Sequence, residues 1–280
     1  MIALTGATGF VGSQILKALL ARGARVRVIV REPAKLDSAL LHASSSLDIV
    51  TTQDLFAESK ARLSDLLSGT ETLVHAAWYA EPGKYLTAER NLDCLTGTIA
   101  LAKAFATAGG KRFVGLGTCA EYDADAGMLR VDTPLKPNTL YAACKASTYL
   151  LLSQTLSAAG LAFAWCRLFY LFGEGEDARR LVPHLHRQLS QGQPVDLTSG
   201  RQIRDFLDVA DAGRMIADIA LSSREGAENI CSGVPVTVRQ LAEGIADVYG
   251  RRDLLRFGAR PDNLFDPACV VGVCEEVQER

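Results

Sequence analysis

The sequence predicts an α/β fold, a doubly wound parallel sheet followed by a smaller C-terminal lobe. Three observations predict it. Through the first half, short apolar or β-branched runs alternate with helical patterns of roughly 10–15 residues, the arrangement of parallel βαβ units. The early runs are continuously apolar, as strands covered by helices on both faces require. A glycine-rich turn separates the first run from the first helical pattern.

In chain order, Ile2–Thr5 reads as a strand and Val11–Arg22 as an amphipathic helix closed by Gly23. Arg25–Val30, Leu47–Val50 and Thr72–Ala76 read as the next strands. A long helix over Arg90–Ala108 leads to a strand at Arg112–Leu116, and a helix over Tyr141–Ala158 leads to one at Ala162–Arg167. The pattern changes near Phe169. Helices are expected over Leu181–Leu189, Val209–Leu221 and Val238–Tyr249, with a loop over Gly192–Gly200. Residues 1–168 are therefore expected to form a dinucleotide-binding domain and 169–280 mainly a substrate lobe, with about 203–222 returning to pack on the sheet. The stretch Gly272–Arg280 reads as a shortened end.

Of 280 residues, 48% are hydrophobic and 22% charged, which supplies a sizeable core and argues against disorder. A net charge of −2 gives no electrostatic reason to expect nucleic acid or an acidic membrane as partner. No apolar stretch approaches the roughly 20 residues that span a bilayer. Met1 leads straight into Ile2-Ala3-Leu4 without a charged leader, so a cytoplasmic location is expected. The seven cysteines are scattered, odd in number and free of a CxxC pair, so free thiols are expected in place of zinc or a disulfide framework. His184 and His186 lie on different faces of one helix, which makes no metal site.

The segment Gly6-Ala7-Thr8-Gly9-Phe10-Val11-Gly12 joins the first strand to the first helix. Gly6 and Gly9 permit a tight turn and close approach of backbone to a pyrophosphate, and Gly12 lets the helix pack on the sheet. The helix N-terminus stabilises the negative charge. After the second strand, an acid would hold the ribose of NAD, whereas a base accommodates the 2′-phosphate of NADP. Arg31 stands there, with Lys35 nearby, which favours NADP(H) over NAD(H); Glu32, one residue on, is the counter-argument. Asp54 and Leu55 follow the third strand, facing an adenine ring or capping a helix. Tyr141 and Lys145 sit four apart on one helical face, where a cation would lower the phenol pKa toward a working range. Thr118 follows the fifth strand, where a hydroxyl would hold a reacting oxygen. His75 closes a strand and reads as a packed residue. Trp78 and Tyr79 stand at the carboxyl edge of the sheet, where ligands bind in open α/β folds, as sugar or base contacts or as packing against the second lobe.

Together Gly6, Gly9, Gly12, Thr118, Tyr141 and Lys145 resemble the extended branch of the short-chain dehydrogenase/reductase superfamily, with its Rossmann sheet. His75-Ala76-Ala77, Gly115–Tyr122 and Arg204–Asp211 resemble further motifs of that branch. The resemblance implies Tyr141 as the acid/base, Lys145 as ribose ligand and tuner of Tyr141, and Thr118 as the carbonyl-polarising hydroxyl. It implies Ala76 and Ala77 along the cofactor cleft, and Arg204 and Arg260 on a substrate diphosphate. Trp78, Cys119 and Tyr170 complete the expected substrate wall. The chain departs from the pattern in three places. Cys94 replaces the asparagine expected before Gly97-Thr98, with Asn91 one turn earlier to substitute. Tyr170 replaces another asparagine. Cys119-Ala120 replaces the Asp-Glu pair of the branch's sugar dehydratases, which argues against dehydration. The expected function is reduction of a nucleotide-linked 4-keto-6-deoxy sugar by NADPH in a homodimer. The alternatives are an NAD-dependent 4-epimerase, a reductase of a non-nucleotide carbonyl and a non-catalytic NADP sensor.

Overall fold

The computed structural model describes residues 1–38, 40, 45–263 and 266–274. Its strands in chain order are β1 (Ile2–Thr5), β2 (Val26–Val30), β3 (Leu47–Thr51), β4 (Thr72–His75), β5 (Arg112–Thr118), β6 (Met128–Leu129) and β7 (Ala162–Leu168). They continue with β8 (Tyr170–Phe172), β9 (Val195–Leu197), β10 (Ile203–Asp208), β11 (Gly226–Ile230), β12 (Pro235–Thr237), β13 (Leu255–Phe257) and β14 (Cys269–Gly272). The helices are α1 (Phe10–Ala21), α2 (Lys60–Leu67), α3 (Arg90–Thr107), α4 (Leu140–Ala158), α5 (Leu181–Ser190), α6 (Val209–Leu221) and α7 (Val238–Tyr249).

Seven strands form one parallel Rossmann sheet in the order β11-β7-β5-β4-β1-β2-β3. Neighbouring residues of a strand face opposite sides of it. Leu4, Val28, Val74 and Val114 pack under α1 and α6 with Ile15, Leu19 and Ile216. Ala3, Ile29, Leu73 and Phe113 pack under α2, α3 and α4 with Leu63, Phe105 and Leu152. This double cover is why the strand sequences are predominantly apolar.

The chain beyond Phe169 contributes to both layers. It supplies β11 at the sheet edge and α6, which lies against α1 so closely that a Cβ on Gly213 would sit 2.7 Å from the Gln14 backbone. The second lobe centres on β10, which pairs with β8, β12 and β14. Beside it α5 and α7 enclose an apolar cluster of Leu185, Leu189, Val195, Ala242 and Ala246.

Gly192–Gly200 is not a plain loop, because β9 lies within it and pairs in parallel with β13. Helix α2 was not expected: its apolar face is one turn long, and its signal is the Ser59 cap, whose hydroxyl accepts from the Arg62 N–H. The expected shortened end is partly strand, since Gly272 closes β14, while 275–280 lie outside the described residues. Among the described residues, no helix is long and apolar enough to cross a membrane.

Candidate active site

The glycine turn opens a cleft at the carboxyl edge of the sheet. Gly6 has φ +74°, and a Cβ there would stand 2.7 Å from the Ala76 carbonyl carbon and the Ala77 nitrogen. A Cβ on Gly12 would run into the Gly6 carbonyl. Gly9 caps α1 without any side-chain hydrogen bond, and the first turn carries no acid. The N–H donors of Phe10, Val11 and Gly12 therefore remain for an anion. The fit is to a dinucleotide pyrophosphate.

The cleft, about 300 Å³, is lined by Gly6, Thr8, Gly9, Ala76 and Ala77 at its centre and by Val30, Arg31, Asp54 and Leu55 at its far end. Arg31 thus lies on the wall of the cleft. Glu32 is exposed and held by Lys35 at 2.7 Å, so neither contributes to the lining. Asp54 is not a helix cap, since the next helix is capped by Ser59; its Oδ1 accepts from the Phe56 N–H at 3.1 Å in a turn, and the residue lines the cleft, ion-paired to Arg90. Thr52, Phe56 and Arg90 also line this end. Sequence reasoning missed them because no motif marks them: Thr52 and Phe56 are in a loop, and Arg90 opens α3.

Past Trp78 on the cleft wall stand the residues expected to transfer protons, none of which lines the cleft itself: the Tyr141 ring lies 6.5 Å from the Trp78 ring, and Lys145 lies over that ring. The Thr118 side chain stands beside Tyr141 and favours its phenolate, but burial dominates and pushes the Tyr141 pKa up. Tyr85 and Glu121 push it the same way. This differs from the expectation that Lys145 lowers the phenol. The reason is where the ammonium goes: Lys145 Nζ donates to the Leu116 carbonyl at 2.6 Å and lies 3.8 Å from the centre of the Trp78 ring. Burial lowers its pKa to about 7, against an opposing pull from Glu121. Trp78 lines the cleft, and its other contacts fix it, since its indole N–H donates to Asn91 Oδ1 at 2.9 Å. Asn91, fully buried, also donates to the carbonyls of Tyr85 and Ala88. It anchors the loop that brings Tyr85 edge-on to Tyr141, with centroids 4.8 Å apart. His75 is buried between the Thr5 and Thr98 hydroxyls, at 2.8 and 2.9 Å, and burial lowers its pKa to about 3. It is a neutral packing residue.

Behind Thr118 lies a buried polar network that the sequence did not reveal. The Glu121 carboxylate accepts from Thr118 N at 2.9 Å, Trp165 Nε1 at 3.1 Å and Arg167 Nε at 2.8 Å. Arg167 stacks between Tyr122 and Tyr149.

On the substrate side, Cys119 is packed into a core cluster with Tyr122 and Phe169. Arg204 is buried, with its guanidinium over the Tyr170 ring at 5.2 Å. Its Nη2 lies 2.6 Å from Asp266 Oδ1 without hydrogen-bond geometry, so that N–H is not consumed. Arg260 is exposed after β13, its backbone N–H on Leu197. His184 and His186 take separate partners, Arg187 and Tyr249. Among the described residues, no three His, Cys, Asp or Glu stand close enough to hold a metal.

A family model described as "NAD dependent epimerase/dehydratase family" matches residues 2–231. The chain belongs to this family. It is an NAD(P)-dependent enzyme of the extended short-chain dehydrogenase/reductase type. A dTDP-6-deoxy-L-talose 4-dehydrogenase (NAD(+)) of Aggregatibacter actinomycetemcomitans is 25% identical over 97% of this chain and 98% of its own length. A dTDP-glucose 4,6-dehydratase of Streptomyces griseus is 28% identical over 88% of this chain and 78% of its own. In fold, the family member resembles a UDP-N-acetylglucosamine 4-epimerase from Methanobrevibacter ruminantium M1. The TM-score is 0.84 at 24% identity, covering 98% of this chain and 89% of that one.

Proposed function

We propose that the protein is a reductase of a nucleotide-linked 4-keto-6-deoxy sugar, using NADP(H). The observation that supports this reading is the site's content: Thr118 lies beside Tyr141, and Lys145 lies over the Trp78 ring that Tyr141 also approaches, while Cys119 and Ala120 stand where a dehydratase keeps its acid pair. Cys119 is also buried in the core and offers no exposed acid or base. The relative acting on a 6-deoxy-talose nucleotide aligns over nearly the whole of both chains, which supports a sugar of that class. That relative is named for NAD(+). Arg31 on the cleft wall, with Glu32 turned to Lys35, supports NADP(H) here.

A nicotinamide cofactor bound in the cleft supplies the hydride. Tyr141, neutral in its buried setting, donates its proton to the carbonyl oxygen as charge develops there. The Thr118 hydroxyl orients the phenol and shares that charge. Lys145 titrates near neutrality, so it is able to return a proton toward Tyr141 between turnovers. Arg204, buried with an N–H not hydrogen-bonded, and Arg260 serve the diphosphate.

The test follows loss of the reduced-nicotinamide absorbance with NADPH or NADH and a set of 4-keto-6-deoxy nucleotide sugars. NADPH is expected to be oxidised well ahead of NADH. Tyr141→Phe is expected to bind cofactor and lose at least about 10²-fold in turnover, the lower range for acid–base catalysis. No oxidation of either cofactor, with NAD retained through purification, would establish the epimerase instead.

A further inference from the structure

We propose that Cys231 and Cys274 close into a reversible disulfide that pins the C-terminal strand of the second lobe to the end of β11 in the Rossmann sheet. The two thiols belong to segments 43 residues apart, one following β11 and the other following β14, and their sulfurs stand 3.4 Å apart. The Cys274 thiol also donates to the Cys231 carbonyl.

The site is built for two sulfurs. Glycines stand where each sulfur needs room: a Cβ on Gly272 would lie 2.5 Å from the Cys231 sulfur, and one on Gly233 would lie 3.1 Å from the Cys274 sulfur. The backbones on both sides are held by one buried carboxylate. Asp205 accepts from Ser232 N at 2.7 Å, Gly233 N at 2.9 Å and Gly272 N at 3.2 Å. Asn229 donates to the Val273 carbonyl as well. A disulfide needs its sulfurs about 2.05 Å apart, so closure requires an approach of roughly 1.4 Å, within reach of side-chain rotation.

Access is asymmetric in the way such a reaction needs. Cys274 is the exposed cysteine and Cys231 is buried. A disulfide oxidant such as oxidised glutathione is attacked by the Cys274 thiolate, which forms a mixed disulfide and releases one glutathione thiolate. Cys231, losing its proton, then attacks the Cys274 sulfur and expels the second glutathione. Two protein thiols are oxidised, one glutathione disulfide is reduced to two thiols, and the proton balance closes. The closed form ties β14 to the end of β11. It holds in place the segment that carries Asp266, the ion-pair partner of Arg204.

The experiment uses the full chain, reduced and then exposed to graded ratios of oxidised to reduced glutathione, with thiol counting, peptide mapping and thermal melts. The expected result is loss of two of the seven thiols, leaving five, in a crosslinked Cys231–Cys274 peptide pair. Tm should rise by several degrees and fall back with dithiothreitol. Cys231→Ser should stop at a glutathione adduct on Cys274, and Cys274→Ser should keep its remaining thiols. Native melts of both variants under reductant show that each still folds. Seven thiols retained by the folded wild type, a stable adduct on Cys274 without closure, or a crosslink to any other cysteine would overturn the proposal.

Discussion

Glu121→Gln isolates the network behind Thr118. Both ends of the Glu121–Arg167 pair are essentially unexposed, with 0% and 1% of the side chains accessible. The amide keeps an oxygen for Thr118 N and Trp165 Nε1, but turns a neutral group toward Arg167 and leaves that guanidinium buried without a counter-charge. Removing one partner of a buried pair costs about 3–5 kcal/mol. At roughly 2–4 °C per kcal/mol for a chain of this order of size, Tm should fall by about 10 °C. Arg167→Met should cost a similar amount by stranding the carboxylate. Combining the two removes both charges, so the double variant should lie at least about 2 kcal/mol closer to wild type than the sum of the singles. The assay is equilibrium denaturation of the four proteins at one pH. A Glu121→Gln protein within about 1 kcal/mol of wild type, or strict additivity in the double variant, would refute the argument that the pair is a charge-balanced unit.

Three further outcomes follow from the site. Arg31→Ala should cut the NADPH-over-NADH ratio of kcat/KM by roughly 10–100-fold, the worth of a lost charge-assisted contact, and an unchanged ratio would move the 2′-phosphate elsewhere. The buried His75 binds its proton near pH 3 and the unfolded chain near 6.5, so stability should fall as pH drops through that window. His75→Gln, melted in parallel, should show a shallower fall. Lys145 has the same sign at higher pH. Its folded pKa of about 7 lies below the ordinary 10.5, so its burial penalty is full below pH 7 and fades as pH rises toward 10.5. The melting difference between wild type and Lys145→Met should therefore change across that interval, and a constant difference would mean the ammonium is not desolvated.

The sequence made the cofactor half of the site legible because its determinants are local. The turn from Gly6 to Gly12 spans seven residues, and Arg31 follows its strand directly, so the position of each motif is fixed by a strand and the turn after it. The proton-transfer half was legible in its members but not in its electrostatics. Tyr141 and Lys145 share a helical face, yet the charge on Lys145 is taken up by Leu116 on β5 and Trp78 in the loop after β4. Asn91 was expected to replace a missing family asparagine, but it is satisfied by Trp78, Tyr85 and Ala88, so its task is to hold a loop.

The Glu121 network stayed hidden because Trp165 and Arg167 lie 44 and 46 residues from it, and only strand register joins them. That register does leave a trace. On β5, Gly115 stands opposite Trp165 and Gly117 opposite Arg167. A Cβ on either glycine would strike the Trp165 ring, and one on Gly117 would also come within 2.5 Å of Glu121 Oε1. Glycine weakens a strand interior, so two of them alternating in a central strand call for something large on the facing surface. Here that surface holds the indole whose N–H, together with Arg167, keeps Glu121 under Thr118. The glycines that reduce local strand propensity thus open the space in which Thr118 is held.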